Sequence, residues 1–260
     1  MSPTAEATVL RPAGTAPSLG RLTLVELRKM ADTRAGRWLL ASDVLLALAL
    51  VTIRVFAGPE NTRTLDDFFG YSLLGTSLLL PVLGILAVTS EWNQRTALTT
   101  FALVPRRQRV LGAKLCAALA IAVLATVAAL LLAVGGNLVT ELFDRGGGWD
   151  VGLAPAFYGL VFLVLNMVMG VAFGALFLGS GLAIVLYFVI PIAWSILGTS
   201  IGGLKHWDAW LDLATTTQPL MSTSVSMSGD AWAKLAVSSA LWILLPLAAG
   251  AVRVARQEVK

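Results

Sequence analysis

Formal charge is what this sequence most lacks. From Val151 to Leu204 it runs for 54 residues without an Asp, Glu, Lys, Arg or His. As helix that stretch would extend roughly 80 Å, against about 30 Å of bilayer hydrocarbon. One span cannot use it up, so the chain has to turn back, and Gly179-Ser180-Gly181 supplies turn chemistry near the middle. Two spanning helices joined by a three-residue turn are expected. Only 13% of all residues are charged and 57% are hydrophobic, with a mean hydropathy of +0.80. That composition excludes a soluble globular domain and points to an all-α, polytopic membrane protein.

Histidine and cysteine are nearly absent, at one each: His206 and Cys116. A lone histidine and a lone cysteine cannot form a metal-ligand cluster, a disulfide or a Ser/His/Asp arrangement. The sequence holds no G-x-x-x-x-G-K-[ST] loop to cradle ATP phosphates. No catalytic, cofactor-binding or metal-binding residue is assigned, and the chain is read as a non-enzyme. It has no internal repeat, which argues against an inverted-repeat transporter. The first 37 residues are too polar for a cleaved signal peptide, and residues 1–18, rich in Ala, Pro and Thr, read as a disordered tail. Residues 19–260 form one transmembrane domain.

What is present is a series of six apolar segments, at 38–56, 71–89, 115–138, 156–178, 182–201 and 235–254. Each has about the length of a spanning helix. The N-terminal stretch, the 90–114 connection and the C-terminal tail together hold 14 of the 19 basic residues. The other connections receive nine of the fifteen acidic residues. This asymmetry accounts for the net charge of +4 as a topology signal rather than a nucleic-acid footprint, and places both termini in the cytoplasm of a plasma-membrane protein. The 198–234 connection, with Trp207, Trp210, Leu211 and Leu213, is too apolar for a free loop and reads as an extracellular re-entrant or interfacial helical segment.

Two charges, Asp43 and Arg54, fall inside the first span. Asp43 sits where a carboxylate costs roughly 2.5 to 3.5 kcal/mol on insertion scales, so it should face protein or a water-filled path. It is either structural or part of a pathway wall. Arg54, at the outer end, is expected to snorkel to the interface. Gly170-x-x-x-Gly174 allows close helix approach, within one chain or across a dimer seam. Pro81, Pro191 and Pro246 interrupt spans two, five and six. Between spans two and three, Glu91 through Leu103 can form a short helix with Trp92, Leu98, Phe101 and Leu103 as apolar contacts. Pro105 ends it, and Arg106, Arg107 and Arg109 return the chain to the lipid surface.

An acid ending span two, a Thr-rich short helix and P-R-R-x-R-V-L-x-x-K (Pro105 to Lys114) leading into span three resemble the ABC-2 type permease family of ABC transporters. The amphipathic stretch L-x-L-V-E-L-R-K-M (Leu22 to Met30) before the first span is similar to the same family. The resemblance runs from Leu19 onward, carried by the order of features. It implies the six-helix membrane subunit of an exporter, with an interfacial N-terminal helix and a cytoplasmic coupling helix. ATP and Mg would sit on a separate ATPase subunit docked through Glu91, Trp92, Arg95, Leu98, Phe101 and Leu103. A second permease copy, identical or related, would complete the pathway. By the same resemblance, spans two and five would line it, with Leu78, Leu79, Pro81, Val82, Val185, Phe188 and Ile192, and Asp43 as a further candidate. Such a wall suits an amphipathic drug, lipid or peptide. A membrane immunity or assembly factor that only binds a partner is the alternative.

Overall fold

In hydrocarbon every backbone N–H and C=O must be satisfied internally, and each apolar run of this sequence accordingly becomes a helix. The computed structural model describes residues 17–57, 63–94, 96, 106–143, 148–149, 152–201, 205–221 and 227–257. In chain order the helices are α1 (Leu19–Asp32), α2 (Arg34–Ala57), α3 (Leu65–Asn93), α4 (Arg107–Leu142), α5 (Leu153–Phe177) and α6 (Ser180–Ser200). They continue with α7 (Lys205–Leu211), α8 (Leu213–Met221), α9 (Gly229–Ser239) and α10 (Leu245–Arg256), the last two joined by a π-helical turn, Ala240–Leu244. Among the described residues six helices are long and apolar enough to cross a membrane: α2, α3, α4, α5, α6 and the continuous α9–α10 rod. The fold is all-α, and Thr64 and Gly148 form an isolated bridge.

Local chemistry sets the helix ends. The Ser18 hydroxyl accepts from the Arg21 N–H at 3.3 Å to cap α1. Thr64 accepts from Asp67 N–H at 3.2 Å to cap α3, whose first turn holds Asp66 and Asp67 at the positive end of the helix dipole. Thr33 ends α1 in extended geometry, and its hydroxyl takes the Gly36 N–H at 3.1 Å to begin α2. A Cβ at Gly36 would run into the Met30 carbonyl, so this sharp corner requires glycine. The turn between α5 and α6 is tighter than the expected Gly179-Ser180-Gly181. Leu178 takes the left-handed conformation at φ 57°, its N–H donates to the Gly174 carbonyl at 2.9 Å, and Ser180 already belongs to α6. Pro246, which lacks an N–H and crowds the carbonyl four residues back, follows the π-helical turn.

The central helix is α3, which packs on α2, α4, α5 and α6. It runs parallel to α5, and the two backbones approach through glycine. Gly170 lies against the Pro81 backbone, and a Cβ at Gly174 would come within 2.9 Å of the Ile85 carbonyl oxygen. The small-residue motif of the fourth span therefore serves packing within the chain. Phe68, Phe69, Leu73, Leu163 and Met167 fill the core around these contacts. The first and last of the described residues meet on one face of the bundle. There Arg109 donates to the Pro17 carbonyl at 2.9 Å, and Arg107 donates to the carbonyls of Val254 at 3.0 Å and Gln257 at 2.5 Å. Arg107 thus satisfies C-terminal carbonyls of α10 rather than lying on lipid as expected. This is the terminal face, and the opposite one is the distal face.

Candidate functional site

Among the described residues, a cavity adjoins polar side chains at the terminal face and again within the spans. At the terminal face, Glu26 of α1 points inward one turn before Met30, because the helix turns its 22, 26 and 30 positions toward the bundle. Its carboxylate meets the Lys114 ammonium at 2.7 Å and that of Lys29 at 2.8 Å. Glu91, near the end of α3, lies 2.7 Å from Lys29 and 3.3 Å from Lys114. Lys114 also donates to the Ala87 carbonyl at 2.7 Å. Glu26, Glu91 and Lys114 are all less than 8% exposed. Two carboxylates and two ammoniums cancel, so the quartet binds α1 to the ends of α3 and α4 without leaving a buried charge unpaired. Burial works against the Lys29 ammonium, yet its hydrogen bonds and charge contacts with Glu26 and Glu91 hold its pKa above 10.5. A cavity of about 810 Å³ adjoins the quartet.

The second place is within the membrane-spanning region. A cavity of about 210 Å³ lies between α3, α5 and α6 and is closed at one end by α8. Leu78, Phe188, Pro191 and Ile192 give it apolar walls, and Ser77, Asn166, Tyr187 and Thr217 give it polar points. The polar groups are held in fixed orientations. Tyr187 Oη donates to Asn166 Oδ1 at 3.0 Å, while Asn166 Nδ2 donates to the Phe162 carbonyl at 2.9 Å. Ser77 donates to the Leu74 carbonyl at 2.8 Å and Thr217 to the Leu213 carbonyl at 2.7 Å. Leu78 and Ile192 are about half exposed, at 45% and 58%, so the cavity opens sideways. Its end wall is anchored firmly. Asp212, 1% exposed, caps α8 by accepting from Ala214 N at 3.1 Å and Thr215 Oγ1 at 2.7 Å. Trp242 of the π-helical turn donates to the Leu211 carbonyl at 2.6 Å, and the Thr216 and Ser238 hydroxyls are 2.7 Å apart.

The residues singled out from sequence divide between these places. Leu78, Phe188 and Ile192 converge on the intramembrane cavity together with Pro191. Leu79 and Val82 are half-buried on α3, and Pro81 is buried against Gly170, so none of the three lines it. Val185 is exposed on the outer side of α6. Asp43 is buried between α2 and α3 with a hydrogen bond from Thr76, facing protein, while its Oδ1 has no partner. Arg54 does not snorkel. It is 5% exposed, paired with Asp67 and stacked 5.7 Å from the Tyr71 ring centroid, because the acidic first turn of α3 lies beside it. Glu91 continues α3 and is turned inward to the quartet, and Trp92 packs against the core, so these two lie outside any separate short helix. Arg95, Leu98, Phe101 and Leu103 lie outside the described residues.

Sequence reasoning passed over Glu26, Lys29 and Lys114, which read as ordinary surface charges. It also passed over Asn166, although that is the only Asn in the uncharged 151–204 stretch and an amide there is expensive unless bonded. The chain matches no model of a known protein family and no curated protein.

Proposed function

We propose that this chain is the membrane subunit of an ATP-driven exporter of the ABC-2 type, moving an amphipathic cargo. The observation that carries the reading is the sideways-open cavity between the second, fourth and fifth spans. It combines half-exposed Leu78 and Ile192 with uncharged, oriented polar groups at Asn166 and Tyr187, which suits a largely apolar molecule bearing a few hydrogen-bonding groups. The ionic quartet supports the same reading. It joins the interfacial helix to the two spans that flank the 94–106 connection, the stretch through which a separate ATPase would act. On this reading the terminal face is cytoplasmic, as the basic-residue asymmetry indicates, and a second permease copy faces the exposed side of α3 and α6.

The test is transport in inverted membrane vesicles that hold the chain and its cognate ATPase, with a hydrophobic fluorescent dye as probe. ATP should drive dye accumulation. Ile192→Trp, which projects bulk into the mouth of the cavity, should reduce the rate about tenfold or more while leaving the amount of chain in the membrane unchanged. Accumulation that is equally fast with Ile192→Trp contradicts the assignment of this cavity to the pathway.

A further inference from the structure

The terminal-face cavity has a graded wall. It is framed by α1, by the corner at Thr33 to Gly36 and by the last turns of α3. Met30, Leu83 and Leu86 line the apolar end, and Ser90, Gln94 and Thr96 line the polar end. Leu83 to Gln94 corresponds to about 16 Å of helix, enough to cross from acyl chains into headgroups where α3 leaves the bilayer.

Charge is graded along the same wall. Glu26, Lys29 and Glu91 belong to the quartet, whose charges cancel with Lys114 included. Arg34 also lines the cavity, is exposed, and makes no ion pair among the described residues. The first turn of α2, Arg34 to Gly36, forms part of the same wall and adds the positive end of a 24-residue helix. The exposed Asp32 lies outside the wall.

We propose that this cavity holds one anionic phospholipid of the adjoining leaflet. Its phosphate lies against Arg34 and the first turn of α2, its glycerol region meets Ser90 and Gln94, and one acyl chain runs along Leu83 and Leu86. A soluble anion would leave the apolar end of the wall unmatched. A zwitterionic lipid would bring a cation toward Arg34, which an anionic headgroup does not. The lipid bridges α1 and α3 beside the quartet, so it holds the interfacial helix in place. This inference depends on the membrane fold and stands apart from the exporter reading.

The experiment is native mass spectrometry of the purified full chain in detergent, titrated with phosphatidylglycerol or with phosphatidylcholine of the same acyl chains. One phosphatidylglycerol per chain should be retained, at several-fold higher affinity than phosphatidylcholine. Arg34→Gln should weaken that retention about fivefold, the contribution of one basic side chain near an anionic headgroup. Leu86→Trp should weaken it too, by filling the apolar end without changing charge. Arg37→Gln, one turn along α2 and outside the wall, should leave it unchanged. Equal retention of the two lipids overturns the proposal, as does undiminished retention by Arg34→Gln. Glycerol phosphate binding as tightly as the intact lipid overturns it as well.

Discussion

Lys114 shows how much a single side chain contributes here. It sits in the second turn of α4, 4% exposed, and its ammonium is shared by Glu26, Glu91 and the Ala87 carbonyl. Replacing it by Met strands two buried carboxylates with one ammonium between them, and loss of a buried partner of this kind costs about 3 to 5 kcal/mol. The Lys114→Met chain should therefore unfold at clearly lower temperature in detergent. Adding Glu26→Gln to Lys114→Met should restore part of the loss, because fewer carboxylates are left unpaired. An unchanged melting temperature for Lys114→Met contradicts a closed quartet. The pH dependence has a definite sign on the lysine side. The Lys29 pKa is raised above 10.5, so its stabilisation is fully present below 10.5 and is lost as pH rises through the folded value. None of this was legible in a single sequence. Glu26, Lys29, Glu91 and Lys114 are separated by up to 88 residues, and only the helix directions bring them together. Asn166 was closer to legible, since an amide within an uncharged stretch calls for a partner, but Tyr187 as that partner lies across the α5–α6 turn.

At the scale of elements, hydropathy gives the six spans, because length and apolarity alone decide what can cross a bilayer. Their ends were less legible. The α4 helix begins at Arg107, well before the apolar run at Leu115, since charged residues that find partners at the bundle's end continue a helix as well as apolar ones. The partner of Gly170-x-x-x-Gly174 was open from sequence and proves to be α3 of the same chain. A side chain at Gly170 would strike the Pro81 backbone, which cannot yield as a flexible side chain can. Gly170→Leu should therefore abolish the monodisperse folded peak in size-exclusion chromatography. Gly181→Leu, where a Cβ meets nothing within 4 Å, should elute as the parent does. Equal behaviour of the two variants contradicts the parallel α3–α5 seam. The connection at 94–106 belongs to this scale as well. Its expected docking residues Leu98, Phe101 and Leu103 lie outside the described residues, so its part in coupling belongs to the proposal.

The whole molecule has α3 at its centre and α6 at its edge. Leu182, Val185, Val189, Ile192 and Ile196 form an exposed apolar stripe along α6, spaced by three and four residues. In the proposed exporter this stripe and the cavity beside it face a second copy and the cargo. On that proposal the chain supplies the cavity and its anchored end wall, and ATP would be hydrolysed on another polypeptide. That division of labour is the central claim, and ATP turnover tests it most directly. The chain should be purified from its native membrane under mild conditions, and again after washing that removes peripheral subunits. The first preparation should hydrolyse ATP through a separate co-purified subunit, and the second should show no turnover until that subunit is restored. ATP hydrolysis by the washed, homogeneous chain contradicts the account, and so does a native preparation that hydrolyses no ATP at all.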